Sequence, residues 1–118
     1  MSTVENLTQD TFERALDEPG IMVVDFWAAW CGPCRAMAPQ FERAAELRPQ
    51  YRFAKVDVDA EPGLAGAYAV RSIPTLLVLR DGKPLASQAG VVGAEQLLAA
   101  LDRIAAAVPV SAAVAEAR

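Results

Sequence analysis

Histidine is absent from the 118-residue chain, and cysteine occurs only twice. A structural zinc site needs four ligands, usually Cys or His, so one copy of the chain cannot build one. An iron–sulfur cluster fails by the same count. Clusters of basic residues are also missing. The 11 Lys and Arg are scattered without a run of three among 15 Asp and Glu, giving a formal net charge of -4. That balance disfavours sequence-independent binding to nucleic acid or to an anionic membrane. No apolar run approaches the roughly 20 residues of a membrane span. The start, MSTVENL, has neither the basic residues nor the apolar stretch of a signal peptide. A monomeric, cytoplasmic protein without bound metal or cofactor is the expectation.

What remains is the composition of one globular domain. The 53% hydrophobic fraction argues against disorder. A chain of this size buries roughly two-thirds of its unfolded surface, so one core can hold it without a staple. There is no internal repeat and no linker between two cores. We expect a domain over residues 1–108 and an Ala-rich tail over 109–118, PVSAAVAEAR, which has no core stripe and no nameable role.

Local signals give an order of elements. Thr8 can cap a first helix, with Leu7 and Phe12 spaced as a hydrophobic staple around it. Phe12, Ala15 and Leu16 form its buried stripe, and Pro19-Gly20 ends it. IMVVDFWA (21–28) is almost wholly apolar, as a strand covered on both faces should be. A helix is predicted from Cys34 to about residue 48, with Met37, Phe41 and Ala44 or Ala45 on one side. Pro39 should kink it rather than end it, because the pattern resumes beyond. RFAKVDV (52–58) reads as a strand, Glu61-Pro62 opens a short helix, and TLLVL (75–79) and PLASQ (84–88) read as strands. Asp81-Gly82 between the last two is a strong hairpin signal. Gly93 opens a final helix with an apolar stripe of Leu97, Leu98, Leu101, Ile104, Ala105 and Val108. The class is α/β: a sheet parallel early and antiparallel late, with helices on both faces.

Both cysteines fall in WCGPCR (30–35). Metal binding lacks ligands unless a dimer completes the set. A staple across a four-residue loop stabilises little, about 2 kcal/mol against about 3 for fifteen residues. Inert core thiols fit poorly beside Gly32-Pro33, which marks a turn. A reversible redox couple fits best, since a cysteine pair in a reducing compartment is more often catalytic or metal-binding than structural. Two intervening residues let the sulfurs meet with little backbone movement. Cys31 sits at the N-terminal edge of the predicted helix, where free amides and the helix dipole favour the attacking thiolate. Cys34, one turn further in, should be more buried and suited to a second, internal attack. Pro33 offers no N–H and stiffens the turn, and Gly32 leaves the approach to Cys31 uncrowded.

Over about residues 3–106 the chain resembles the thioredoxin family. VVDFWAAWCGPCR is similar to the family's active-site segment and SIPT (72–75) to its second landmark, while VDVDAEP, the DGK turn and Gly90 follow in the family's order. MAPQFE (37–42) is similar to a bacterial class that often carries a zinc-binding N-terminal extension, absent here. Arg35 stands where many members have Lys, and Ala29 where several carry a charge.

The resemblance implies a central mixed five-stranded sheet flanked by four helices. It implies a cis Pro74 facing the cysteines, where the residue alone would read as an ordinary turn. Asp25, the one charge in its apolar run, could be buried with a raised pKa or could reach solvent at a strand edge; the resemblance makes it the proton carrier for Cys34. Lys55, which alone reads as a solvated strand position, becomes the residue that tunes Asp25. Trp30 and Trp27 could be core aromatics, but Trp30 better suits a docking surface with Ile73, Gly90 and Val91, and backbone near Thr75 would pair with an extended target. The activity implied is protein-disulfide reduction through Cys31 and Cys34. With no nucleotide-binding fingerprint in the chain, the dithiol would be restored by a flavin- and NADPH-dependent thioredoxin reductase. The alternatives are a disulfide oxidase or isomerase acting outside the cytoplasm, and a binding module that uses the same scaffold without its chemistry.

Overall fold

The computed structural model describes residues 3–107. The elements run β1 (Glu5–Asn6), α1 (Gln9–Ala15), β2 (Ile21–Trp27), α2 (Gly32–Leu47), β3 (Arg52–Asp57), α3 (Pro62–Ala67), β4 (Thr75–Arg80), β5 (Lys83–Ala89) and α4 (Ala94–Ala106). They form one five-stranded sheet in the order β1-β3-β2-β4-β5. β1, β3 and β2 are parallel, and β4 and β5 add antiparallel. The mixed sheet with four helices agrees with the expected class.

The packing face alternates along β2 because successive strand side chains point to opposite sides of the sheet. Ile21 and Val23 pack with Met37, Phe41, Leu97, Leu98 and Leu101 from α2 and α4. Met22, Val24 and Phe26 pack with Phe12 and Leu64 from α1 and α3. With helices on both sides, the whole of β2 except Trp27 is buried, which explains its continuous apolar run. β5 is the contrast: every residue of this edge strand is exposed, and it carries Lys83 and Pro84, which discourage pairing with another chain.

Local signals act as expected at several joints. The Thr8 hydroxyl caps α1 in a reciprocal capping box with Thr11, and both staple residues, Leu7 and Phe12, are buried. At the β4–β5 turn Asp81 and Gly82 both have positive φ, 53° and 81°, the backbone of a tight hairpin turn. A Cβ on Gly82 would strike the Leu16 carbonyl oxygen. α2 continues through Pro39. Long-range bonds finish the ends of α4. Gln40 accepts the Ala94 N–H at 2.9 Å, and Arg80 donates to the Ile104 and Ala107 carbonyls, both at 2.8 Å. Arg48 and the Tyr51 hydroxyl both donate to Asp102, tying α2 and its exit to α4.

Two differences from the sequence expectation have simple causes, and a third expectation falls outside the described residues. α2 starts at Gly32, not Cys34, because Pro33 at the first turn needs no N–H partner and has a helix-ready φ. β1 spans two residues and is a strand only through pairing with Ala54 and Lys55, so no residue pattern marks it. α4 is described to Ala106; Val108 of the expected stripe and the 109–118 tail lie outside the described residues.

Candidate active site

β2 leaves the sheet at Trp27, and the chain turns back at once: the Cys31 N–H donates to the Ala28 carbonyl at 3.2 Å. Cys31 is the N-cap of α2, with extended backbone, and its side chain accepts the Cys34 N–H. That bond, 3.1 Å from nitrogen to Sγ, points an otherwise orphan helix amide at the sulfur. Cys31 and Cys34 are joined as a disulfide with Cα atoms 5.3 Å apart, inside the span a disulfide needs. The structure therefore brings the two thiols together where a helix N-terminus favours negative charge.

The expected difference in burial is not present. Both cysteines are 4% exposed. The bonded Cys31 sulfur lies 3.7 Å from the Ile73 carbonyl oxygen, and Trp27, Val58 and Ile73 pack around the pair. The loop before β4 thus covers the outer cysteine. Its Ile73-Pro74 bond is cis, and Pro74 is buried. The Pro74 carbonyl accepts the Gly90 N–H at 2.9 Å. Gly90 has φ 92°, a backbone that suits glycine.

Around this buried pair lies an exposed apolar rim. Trp30 is 68% exposed and Val91 47%, and Gly32, Pro33 and Gly90 are exposed. Thr75 is interior to the sheet, with Phe26 and Ala89 as strand neighbours, and its hydroxyl donates to the Ser72 carbonyl at 2.6 Å.

Beneath the disulfide, a cavity of about 100 Å³ is lined by Asp25, Trp27, Ala28, Ala29, Cys34, Arg35, Ala38 and Lys55. A space of this size admits water. Asp25 is 1% exposed, and neither carboxylate oxygen has a hydrogen-bond partner. Burial pushes its pKa from 3.8 up to about 6, against the downward pull of the Lys55 ammonium. Asp25 and Lys55 are register partners on β2 and β3, so the sheet itself sets them side by side. Lys55 is half-buried rather than solvated, its Nζ 5.0 Å from the Trp27 ring centroid.

Three residues of the site had no role assigned from sequence. Asp59 accepts the Trp30 indole N–H at 2.8 Å. Asp57 holds it in place by accepting the Asp59 and Ala60 amides, and the VDVDAEP segment was the available signal. Trp27, weighed only as a core aromatic, lines the cavity and carries Lys55 on its face.

The thioredoxin family model matches residues 3–103. The chain belongs to the thioredoxin family. Among its relatives is the putative thioredoxin 2 of Streptomyces coelicolor, 43% identical over 91 residues, which are 77% of this chain and 67% of that protein. The thioredoxin of Staphylococcus aureus is 45% identical over 87 residues, 73% of this chain and 84% of that one. A structure described as chloroplastic thioredoxin z superposes with TM-score 0.81 at 30% identity, over 88% of this chain and 96% of that one. Another comes from work on thiol resolution in yeast mitochondrial 1-Cys peroxiredoxin through glutathione/thioredoxin systems; it gives 0.79 at 28% identity, over 87% and 99%. The protein is a thiol-disulfide oxidoreductase of the thioredoxin type, and Cys31-Cys34 is its redox centre. Thioredoxins act on disulfide substrates and depend on a reductase. Among the described residues no group of three or more His, Cys, Asp or Glu could hold a metal, and no helix is long and apolar enough to cross a membrane.

Proposed function

We propose that the protein reduces protein disulfides with Cys31 as nucleophile and Cys34 as resolving thiol. The observation that carries this reading is the Cys34 amide aimed at Cys31 Sγ from 3.1 Å at the mouth of a 16-residue helix. In the reduced protein the same amide and dipole stabilise a thiolate on Cys31. That thiolate attacks one sulfur of the target disulfide. A mixed disulfide forms, and the other target sulfur leaves with the electron pair of the broken bond and takes a proton. Cys34, giving its proton to the Asp25 carboxylate through water in the shared cavity, then attacks Cys31 Sγ. The target departs as a dithiol, and two electrons have passed to it from the cysteine pair.

The remaining residues have supporting roles. Lys55 tunes Asp25. Gly32 leaves the approach to Cys31 open, and Pro33 stiffens the turn. Trp30, Ile73, Gly90 and Val91 form the apolar docking rim, with Pro74 bounding it. Thr75 anchors the loop, so that Ile73 can meet an extended target chain in the manner of an added strand. The working unit is a monomer in the cytoplasm, with a domain over 1–108 and a tail over 109–118, re-reduced by a flavin- and NADPH-dependent thioredoxin reductase.

Cysteine variants test this directly. Cys34→Ser should accumulate mixed disulfides with an insulin-type substrate, seen by mass spectrometry, while Cys31→Ser should abolish turnover. Normal turnover by Cys31→Ser, or no trapped adduct with Cys34→Ser, would reject the assignment.

A further inference from the structure

We propose that Trp27 is a positioning residue: its indole face holds the Lys55 ammonium and keeps it from closing an ion pair with the Asp25 carboxylate. The consequence for turnover rests on Asp25 being the proton carrier proposed above; the effect on Asp25 itself does not.

The sheet creates the conflict. Asp25 and Lys55 are register partners on neighbouring parallel strands. Trp27 lies two residues beyond Asp25, on the same face of β2. Both line the cavity with Lys55. An ammonium beside a buried carboxylate would ordinarily pair with it, yet Asp25 accepts no hydrogen bond. Lys55 Nζ instead sits 5.0 Å from the Trp27 ring centroid, within the range of a cation–π contact and over the most favourable aromatic face. The buried Trp27 Nε1–H has no partner of its own, so the indole is not held there by a hydrogen bond.

Other groups facing Asp25 do not explain the arrangement. From α2 the cavity receives Cys34 and Arg35, and from β4 the register partner is the apolar Leu76. Arg35 is exposed, and the charge that acts on Asp25 is that of Lys55 on the neighbouring strand; the ring decides how near it comes. Held on the ring, it exerts a Coulomb pull that leaves Asp25 at about 6. Released, it could bond the carboxylate directly and stabilise its charged form. Asp25 would then be a weaker base for a thiol proton near neutrality.

The test follows the Asp25 carboxyl carbon by NMR across pH in the oxidised protein, where neither thiol titrates. Trp27→Leu should move the Asp25 midpoint down by about one pH unit or more. In a Lys55→Met background the same change should produce no downward move. Failure of Trp27→Leu to lower the midpoint would overturn the proposal. So would an equal drop without Lys55, since that marks simple admission of water. Should Trp27→Leu not fold, Trp27→Phe keeps a ring with a weaker face and should give a smaller drop in the same direction. In the unsubstituted protein the Lys55 side-chain methylene protons should be displaced upfield by the indole ring current, and ordinary lysine positions would also overturn it. Turnover separates the two readings. If Asp25→Ala leaves the pH profile of turnover unchanged, the proton-carrier role falls, while the midpoints still judge Trp27.

Discussion

Asp25 and Asp102 each lie near a cationic side chain, and their carboxyls are shifted in opposite directions. Asp102, on α4, accepts the Arg48 guanidinium at 2.9 Å and the Tyr51 hydroxyl at 2.7 Å. These partners hold it below the ordinary carboxylate value. Asp25 sits in the sheet with no hydrogen-bond partner, while the nearby ammonium lies over a tryptophan. Loss of water raises it to about 6. A cation nearby therefore does not decide the outcome. Desolvation and the number of donors aimed at the oxygens decide it. The first arrangement joins two helices; the second keeps a proton exchangeable near neutral pH.

The largest test of this contrast is Asp25→Ala. The folded protein holds the Asp25 proton more tightly than the unfolded chain does. Stability is therefore full below pH 3.8, falls as pH rises to about 6, and stays reduced above. A rise from 3.8 to about 6, at about 1.4 kcal/mol per pH unit, is a cost of about 3 kcal/mol at neutral pH. By urea unfolding of the oxidised protein, Asp25→Ala should be more stable than the parent at pH 8 by up to about 3 kcal/mol. The small cavity left behind reduces the gain, which should vanish near pH 4. The same variant should slow turnover at neutral pH and lose the inflection near pH 6. A parent as stable as the variant at pH 8 would break the contrast.

Asp102→Asn should act with the opposite sign and a smaller size. A lowered carboxyl contributes stability above the ordinary value of 3.8, which is lost as pH falls through its depressed pKa. The variant should lose stability at pH 7 and converge with the parent in strong acid. Because the Arg48–Asp102 pair is substantially exposed, high salt should shrink the loss. A loss that is constant across pH would mean that charge plays no part. Tyr51→Phe should have the least effect. It removes one donor and leaves the guanidinium, so the Asp102 midpoint should rise only part of the way back. A carboxyl titration by NMR that shows no movement would remove Tyr51 from the network.

Much of the fold was legible because its signals are local. Thr8 acts through a cap within its own first turn and Pro62 through its fixed φ; Asp81-Gly82 is marked by its local turn preference, although Asp81 also bonds to Gly20. β1 was not legible from pattern, because Glu5 and Asn6 become a strand only against Ala54 and Lys55. The active site divides the same way. The position of Cys31 at a helix mouth was readable from WCGPC, although Gly32 rather than Cys34 begins the helix. Its burial was not readable, because the cover comes from Ile73, 42 residues away in the chain. Asp25 could be singled out as a charge in an apolar run, but its lack of partners could not be seen there. Asp59 gave no sign of reaching Trp30 until Asp57 turned the chain beneath it.

By itself the sequence determined the alternation of strands and helices, the tight turn before β5, and a thiol pair spaced to close at the start of a helix. Those features depend on φ preferences, capping and side-chain period over a few residues. Only the tertiary structure decided that both sulfurs are buried, that Ile73-Pro74 faces them, that Lys55 rests on Trp27, and that Asp25 keeps its proton to about pH 6. These properties depend on how much water remains around a group and on which distant atoms replace it, and both are set by packing.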